Sequence, residues 1–185
     1  MPLTLQNFIL FQAGWFACVL GGASLDYYVW AGTLIALVIV AVHLIRANNI
    51  RNEAILISLT VIVGTAWDSS LMNAGLFTFF NGAVVSGLIP VWMILMWALF
   101  ATTLNVSMKW MKGRYLLAAM FGGIGGPIAY YAGHRLGAVE FDSILNSMTA
   151  VALGWSVIMP ILMMLSTRYN GYQDTRPARY QVKPT

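Results

Sequence analysis

The sequence predicts an all-α fold, a polytopic transmembrane bundle of six helices. Of its 185 residues, 59% are hydrophobic and only 9% are charged, whereas a soluble domain carries about 25% charged residues. Apolar runs recur along the whole length, and a helix needs about 20 such residues to cross a ~30 Å hydrocarbon core. Too few charged residues remain to cover a water-facing surface, so we expect one membrane domain and no folded soluble domain.

Helices are the expected form of the apolar runs, because the runs are long and lack the alternating pattern of barrel strands. The expected spans cover residues 5–22, 27–45, 54–72, 86–104, 115–136 and 144–166. They predict a transmembrane domain over residues 1–166. The remaining residues, 167–185, are polar, basic and proline-bearing, which is typical of a disordered tail. The short aromatic segment at 73–83 predicts an interfacial or re-entrant turn.

The positions of the basic residues predict the orientation. Nine of the ten Lys and Arg residues fall between runs 2 and 3, between runs 4 and 5, or in the tail, and only Arg135 falls on the other side. By the positive-inside rule, both termini are expected to be cytoplasmic, which requires an even number of spans. The net charge of +4 is therefore explained by topology. We expect no nucleic-acid partner, because a nucleic-acid-binding protein clusters its basic residues on one face.

The segment 122–138, GGIGGPIAYYAGHRLGA, is unusually rich in glycine. It lacks the spacing of phosphate-binding loops, which require a third glycine or a Gly-Lys-Ser/Thr ending at fixed positions. On a helix, one narrow stripe would hold Gly122, Gly126, Gly133 and Gly137. Small residues at this spacing let helix backbones approach closely in a membrane, so the stripe predicts a helix-packing contact. Pro127 cannot donate a backbone hydrogen bond and predicts a kink.

Asp68 is the strongest candidate for a functional residue. It lies about 14 residues into the third run, or ~21 Å from the expected cytoplasmic side at 1.5 Å per residue. An acid at this depth is costly and normally faces a partner or water. Gly64, one helical turn earlier, would leave room for a close neighbour.

Further polar residues are expected on the same side of the membrane as Asp68. His134, Arg135 and Tyr131 lie at the outer end of the fifth run, and Asp26 at the outer start of the second. One hypothesis is an outward-facing polar site, with Asp68 and His134 as acid and base candidates and Arg135, Tyr131 and Asp26 as binding residues. The alternative is a structural pair of Asp68 with Arg135 that locks two helices together.

The remaining polar residues predict no metal site and no cofactor. The chain has only two histidines and no ligand spacing of the H-x-x-H or C-x-x-C kind. His43, beside Arg46, is typical of an interfacial residue. Asn105, at the inner end of the fourth run, is expected to bond to the end of its helix.

Three segments carry a resemblance to a known family. They are FQAGWFACVLGG at 11–22, PVWMILMWALFATTLNVSMKWM at 90–111 and the glycine-rich segment. Together they resemble a family of small bacterial inner-membrane proteins that is described only as a domain of unknown function. The resemblance implies a bacterial cytoplasmic membrane location. It also implies a link to membrane lipids, because members are often encoded near enzymes such as cyclopropane fatty acid synthase.

Three functions stay open from the sequence. The first is a membrane protein whose outward-facing polar pocket accommodates a lipid or an amphipathic small molecule, with or without enzymatic activity. The second is a small transporter, against which the scarcity of polar residues in the inner halves of the spans argues. The third is a non-catalytic accessory or assembly subunit that uses its glycine stripe to bind another membrane protein or a second copy of itself.

Overall fold

The computed structural model describes residues 1–24 and 28–173, and the helical bundle predicted from the sequence is confirmed. Six α-helices lie within the described residues: α1 (Leu3–Ala23), α2 (Tyr28–Arg46), α3 (Ile50–Asn73), α4 (Val91–Leu104), α5 (Tyr115–Arg135) and α6 (Ile144–Arg168). A short 3₁₀ turn, Lys109–Met111, connects α4 to α5. In addition, two short strands are present, β1 (Phe77–Phe79) and β2 (Val139–Phe141).

All helices of this set except α4 are long and apolar enough to cross a membrane, which makes the chain a multi-pass membrane protein. The fourth helix begins at Val91 instead of residue 86, because Pro90 cannot continue a helix towards its N-terminal side and takes the N-cap position. With 14 residues, α4 is about 21 Å long and shorter than the ~30 Å core. Residues 80–90, which connect β1 to α4, lie outside any helix.

The helices alternate in direction, so the bundle has two distinct ends. At the terminal end, where α1 begins and α6 ends, Arg46 donates to Gln6 Oε1 over 3.4 Å, and Asn49 N–H donates to the Gly171 carbonyl over 2.9 Å. The opposite end, which we call the sheet end, holds β1 and β2. A cytoplasmic location of the terminal end stays a prediction from the basic residues.

The short helix α4 lies in the centre of the bundle. Ten of its 14 residues are buried, and it contacts α1, α2, α3 and α6. In contrast, α5 packs mainly along α6, and α1 packs along α2 and α4. As a result, α1 and α5 stand on either side of α4 and α6 and barely touch each other.

The two strands pair at the sheet end, and β1 lies within the segment 73–83 for which the sequence predicted a turn. β1 pairs with β2 in antiparallel register, with Phe77 opposite Phe141 and Phe79 opposite Val139. The strands thus join the connection between α3 and α4 to the connection between α5 and α6. The pair packs on the bundle through Phe77, which is 1% exposed.

The first residues after α6, 169–173, make hydrogen bonds to another part of the bundle. Gly171 binds Asn49 through its carbonyl, and the Gln173 carbonyl accepts a hydrogen bond from Asn48 over 3.3 Å. This segment therefore folds back against the connection between α2 and α3. The rest of the predicted tail, residues 174–185, and the candidate Asp26 lie outside the described residues.

Candidate functional site

A cavity of about 280 Å³ lies between α1 and α5. Its floor consists of α4 and α6, and its lining is almost entirely aromatic, aliphatic, methionine and glycine side chains. Representative lining residues are Phe11, Trp15, Met96, Trp97, Tyr130 and Trp155. Trp97 and Trp155 stack on each other with their ring centroids 4.8 Å apart. This apolar lining differs from the polar pocket that the sequence predicted.

Residues from both ends of the bundle contribute to the lining of the cavity. At the sheet end, Phe79 and Val139 of the strand pair line it. At the terminal end, the lining includes Met108, whose sulfur accepts a hydrogen bond from Thr103 Oγ1 over 3.3 Å. The cavity is partly open, and the helices on either side of it, α1 and α5, are each long and apolar enough to cross a membrane.

Asp68 lies directly behind the wall of this cavity. Its side chain is fully buried, and its carboxyl oxygens accept hydrogen bonds from Trp97 Nε1 and from the Tyr130 hydroxyl, both over 2.6 Å. Gly64 provides the expected room, because a Cβ at this position would collide with the Trp97 indole. Asp68 therefore holds two cavity-lining side chains in place and does not itself face the cavity.

The structure does not bring the other predicted site residues to Asp68. The proposed Asp68–Arg135 pair is wrong, because the partners of Asp68 are the neutral donors Trp97 and Tyr130 and Arg135 is exposed. His134 donates from Nδ1 to the Val139 carbonyl over 3.0 Å and thereby anchors β2 to α5.

Tyr131 is 43% exposed, and its ring centroid lies 6.1 Å from that of His134. Neither ring lines the cavity. A role of Asp68, His134, Arg135 or Tyr131 in catalysis or binding stays a prediction.

The glycine stripe divides into three parts with different surroundings. Gly122 and Gly126 lie against Trp155 of α6 and also line the cavity. Gly133 faces the side chain of Val139. Gly137 is not on the helix at all, because it follows the end of α5 in a left-handed conformation with φ of 86°. α5 continues through Pro127 from Tyr115 to Arg135.

Comparison with known proteins identifies the family of this chain. A family model described as "Protein of unknown function (DUF2878)" matches residues 4–161. The chain belongs to the DUF2878 family. This confirms the resemblance to a family of unknown function. No curated protein and no solved structure gives a significant match.

The DUF2878 match covers the helices and strands that line the cavity, apart from the first residue of α1 and the last residues of α6. Since the family description states no activity, the function has to be argued from the site itself.

A second polar cluster lies at the terminal end of the bundle, and the sequence interpretation missed it. Glu53 is fully buried. Its Oε1 lies 2.7 Å from His43 Nε2, and its Oε2 accepts hydrogen bonds from Asn105 Nδ2 over 2.7 Å and from Gly171 N–H over 3.0 Å. His43 is thus a buried partner of a carboxylate. Glu53, an acid in the first turn of an apolar run, was the signal in the sequence.

Two side chains from outside the spans complete this cluster. Lys112 donates to Asn105 Oδ1 over 2.5 Å and to the Ser166 carbonyl over 3.0 Å, and burial lowers the pKa of Lys112. The Tyr172 hydroxyl donates to the His43 carbonyl over 2.6 Å, and burial raises the pKa of Tyr172 to about 12.

The partners in this cluster come from different parts of the chain. Their hydrogen bonds therefore join α2, α3, α4 and the segment after α6. The described residues contain no group of three or more His, Cys, Asp or Glu side chains placed to hold a metal ion.

Proposed function

We propose that this protein binds one apolar chain of a membrane lipid or of a lipid-derived amphipathic molecule in the cavity between α1 and α5, in the bacterial cytoplasmic membrane. The observation that carries the proposal is the cavity itself, with its apolar lining between two helices that are long and apolar enough to cross a membrane. The membrane location follows the resemblance to bacterial inner-membrane proteins and the distribution of basic residues.

The size and polarity of the cavity suit a hydrocarbon chain. An engineered apolar cavity of about 150 Å³ stays free of water and binds benzene. The cavity here has nearly twice that volume, about 280 Å³, and approaches the lower end of the range of roughly 300–1,000 Å³ for ligand pockets. Water is a poor occupant because it needs several polar partners.

The length of the cavity also fits one chain. On α1 its lining extends from Phe8 to Val19, and on α5 from Phe121 to Gly133. At 1.5 Å per residue, these stretches are each about 17 Å long. One leaflet contributes about half of the ~30 Å hydrocarbon core, so a chain of ordinary length is comparable with the cavity.

Small residues on α5 leave the space open. Gly125 and Ala129 line the cavity, and a Cβ at Gly125 would approach other atoms no closer than 3.9 Å, at Phe121. Larger side chains at these two positions would enter the space that the ligand needs. The glycine-rich sequence of α5 therefore leaves room for the cavity and also allows close contact with α6.

The arrangement favours binding over transport. A transporter needs a path to both faces of the membrane, whereas the lining of this cavity is apolar and includes the strand pair at one end and Met108 at the other. Asp68, which lies behind the cavity wall, is fully occupied by Trp97 and Tyr130. The proposal therefore assigns no reaction, and any part in lipid modification would consist of holding the chain.

The test compares two leucine substitutions on the same helix. Ala129→Leu adds bulk inside the cavity, whereas Ala119→Leu adds the same bulk at a partly exposed position of α5 outside it. Native mass spectrometry of the detergent-solubilised proteins, incubated with oleic acid, measures the bound fraction. We expect one bound molecule for the wild type and for Ala119→Leu, and at least about a tenfold weaker affinity for Ala129→Leu, as for a pocket partly filled by a side chain.

Circular dichroism controls for folding of both variants. Equal retention of oleic acid by the two variants, or no retention by the wild type, would contradict the proposal. The latter result would leave an accessory subunit as the better account.

A further inference from the structure

The Gln12 amide and the Trp155 indole N–H are among the polar groups of the cavity lining that have no protein partner within the described residues. Gln12 of α1 lines the cavity among Phe8, Phe11 and Trp15, and no hydrogen bond joins its amide to any described residue. A glutamine amide offers two donor hydrogens and one acceptor oxygen. In contrast, the Trp97 and Tyr130 donors are used by Asp68.

Gln12 lies near the middle of α1, where an unpaired amide is unusual. It is nine residues after the start of α1 at Leu3, and α1 has 21 residues, so it lies about 14 Å along a helix of about 31 Å. This is close to the middle of the membrane. Polar side chains at this depth normally bond to a neighbouring helix, because hydrocarbon offers no hydrogen bonds.

The depth also limits which group of a ligand can reach Gln12. Lipid headgroups lie at the membrane surface, about 15 Å from the bilayer centre. A headgroup therefore does not reach this amide while the chain occupies the cavity. A hydroxyl or carbonyl oxygen part-way along the chain does reach it.

We infer that Gln12 is a specificity-determining residue that binds an oxygen substituent in the middle of the ligand's apolar chain. The preferred ligand class is then a long acyl chain that carries a hydroxyl or keto group. This inference rests on the proposed function, since it names the class of chain that the same cavity takes.

The test uses two fatty acids that differ by one hydroxyl group. Ricinoleic acid carries a mid-chain hydroxyl, and oleic acid lacks it. Each competes with a fluorescent fatty acid for the full-length protein in detergent. We expect the wild type to prefer ricinoleic acid by about tenfold, the factor that one hydrogen bond of ordinary net strength supports.

Two glutamine-to-leucine variants of α1 distinguish the loss of a hydrogen bond to the ligand from a general effect of the substitution on binding. Gln12→Leu keeps the bulk and removes the amide, so it should still bind oleic acid and should lose the preference for ricinoleic acid. Gln6→Leu changes a glutamine of the same helix that bonds to Arg46 outside the cavity, and it should keep the preference.

Two results would overturn the inference while the proposed function stands: equal binding of both fatty acids by the wild type, or an unchanged preference in Gln12→Leu. Binding of neither fatty acid by the wild type would overturn both.

Discussion

Asp68 shows how a single acidic residue is accommodated inside an apolar bundle. The indole N–H of Trp97 and the hydroxyl of Tyr130 approach its two oxygens from different helices, α4 and α5. Hydrogen bonds to a buried carboxyl group replace the water that the membrane interior lacks. Asp68 therefore connects three helices and fixes two side chains of the cavity wall.

Replacement of Asp68 should lower stability. In Asp68→Asn, the amide keeps one acceptor oxygen but turns an NH₂ group towards the second donor, so one buried donor loses its partner. We expect a loss of about 1–3 kcal/mol in the free energy of unfolding, measured by titration with sodium dodecyl sulfate in mixed micelles.

Asp142 provides the control for this substitution, because it is exposed. Asp142→Asn should change stability by less than about 0.5 kcal/mol. An Asp68→Asn protein as stable as the wild type would show that the two hydrogen bonds contribute little.

Tyr172 gives the polar cluster at the terminal end a dependence on pH. Burial raises its pKa to about 12 from an ordinary value of about 10, so folding favours the protonated hydroxyl. Its contribution to stability is complete below about pH 10 and is lost as the pH rises through about 12.

The pH dependence can be isolated with Tyr172→Phe, which removes the hydroxyl and its hydrogen bond to the His43 carbonyl. The wild type should be more stable than the variant near neutral pH. The difference in unfolding free energy should narrow as the pH rises from about 10 to about 12. A difference that stays constant over this range would be inconsistent with the account.

At the scale of elements, α5 combines a packing face with a cavity face. A Cβ at Gly122 would collide with the backbone carbonyl of Trp155 and would lie 2.7 Å from Met159 Cβ. At Gly125, the nearest atom would be 3.9 Å away. The two glycines are three residues apart on one helix, so their different surroundings reflect the position of α6.

This difference predicts opposite effects of the same substitution. Gly122→Ala should destabilise the protein by about 1–3 kcal/mol, because the backbones of α5 and α6 would have to separate. Gly125→Ala should be neutral or stabilising by up to about 1 kcal/mol, because alanine has the higher helix propensity. Unfolding in mixed micelles measures both, and equal effects would argue against close packing at Gly122.

The sequence predicted the helices well because each long apolar run has to satisfy its own backbone in lipid. It did not predict the start of α4, since residues 86–90 are as apolar as a span and only Pro90 marks the boundary. The strand pair was also missed. β1 and β2 are three residues each and lie 60 residues apart in the chain, so no local pattern reports their pairing.

At the scale of the whole molecule, the candidate site depends on which helices are neighbours. The sequence identified Asp68 as an acid inside the third span but could not show that Trp97 and Tyr130 bond to it. Aromatic residues and glycines occur both in the packed interior and in the cavity lining, so residue type alone does not distinguish the two kinds of position. The distinction depends on the three-dimensional arrangement, in which α1 and α5 are held apart across α4.

We propose that a lipid chain occupies the space between α1 and α5. This occupancy can be tested with a fatty acid that has a photoactivatable diazirine in its chain, added to the protein in lipid nanodiscs. We predict that mass spectrometry will find the label on cavity-lining residues such as Phe11 and Ala129, and that excess oleic acid will remove it. Ile124 and Ile128, which are 61% and 64% exposed, should show only background labelling. Equal labelling of these lipid-facing residues and of the cavity, unaffected by oleic acid, would contradict the account.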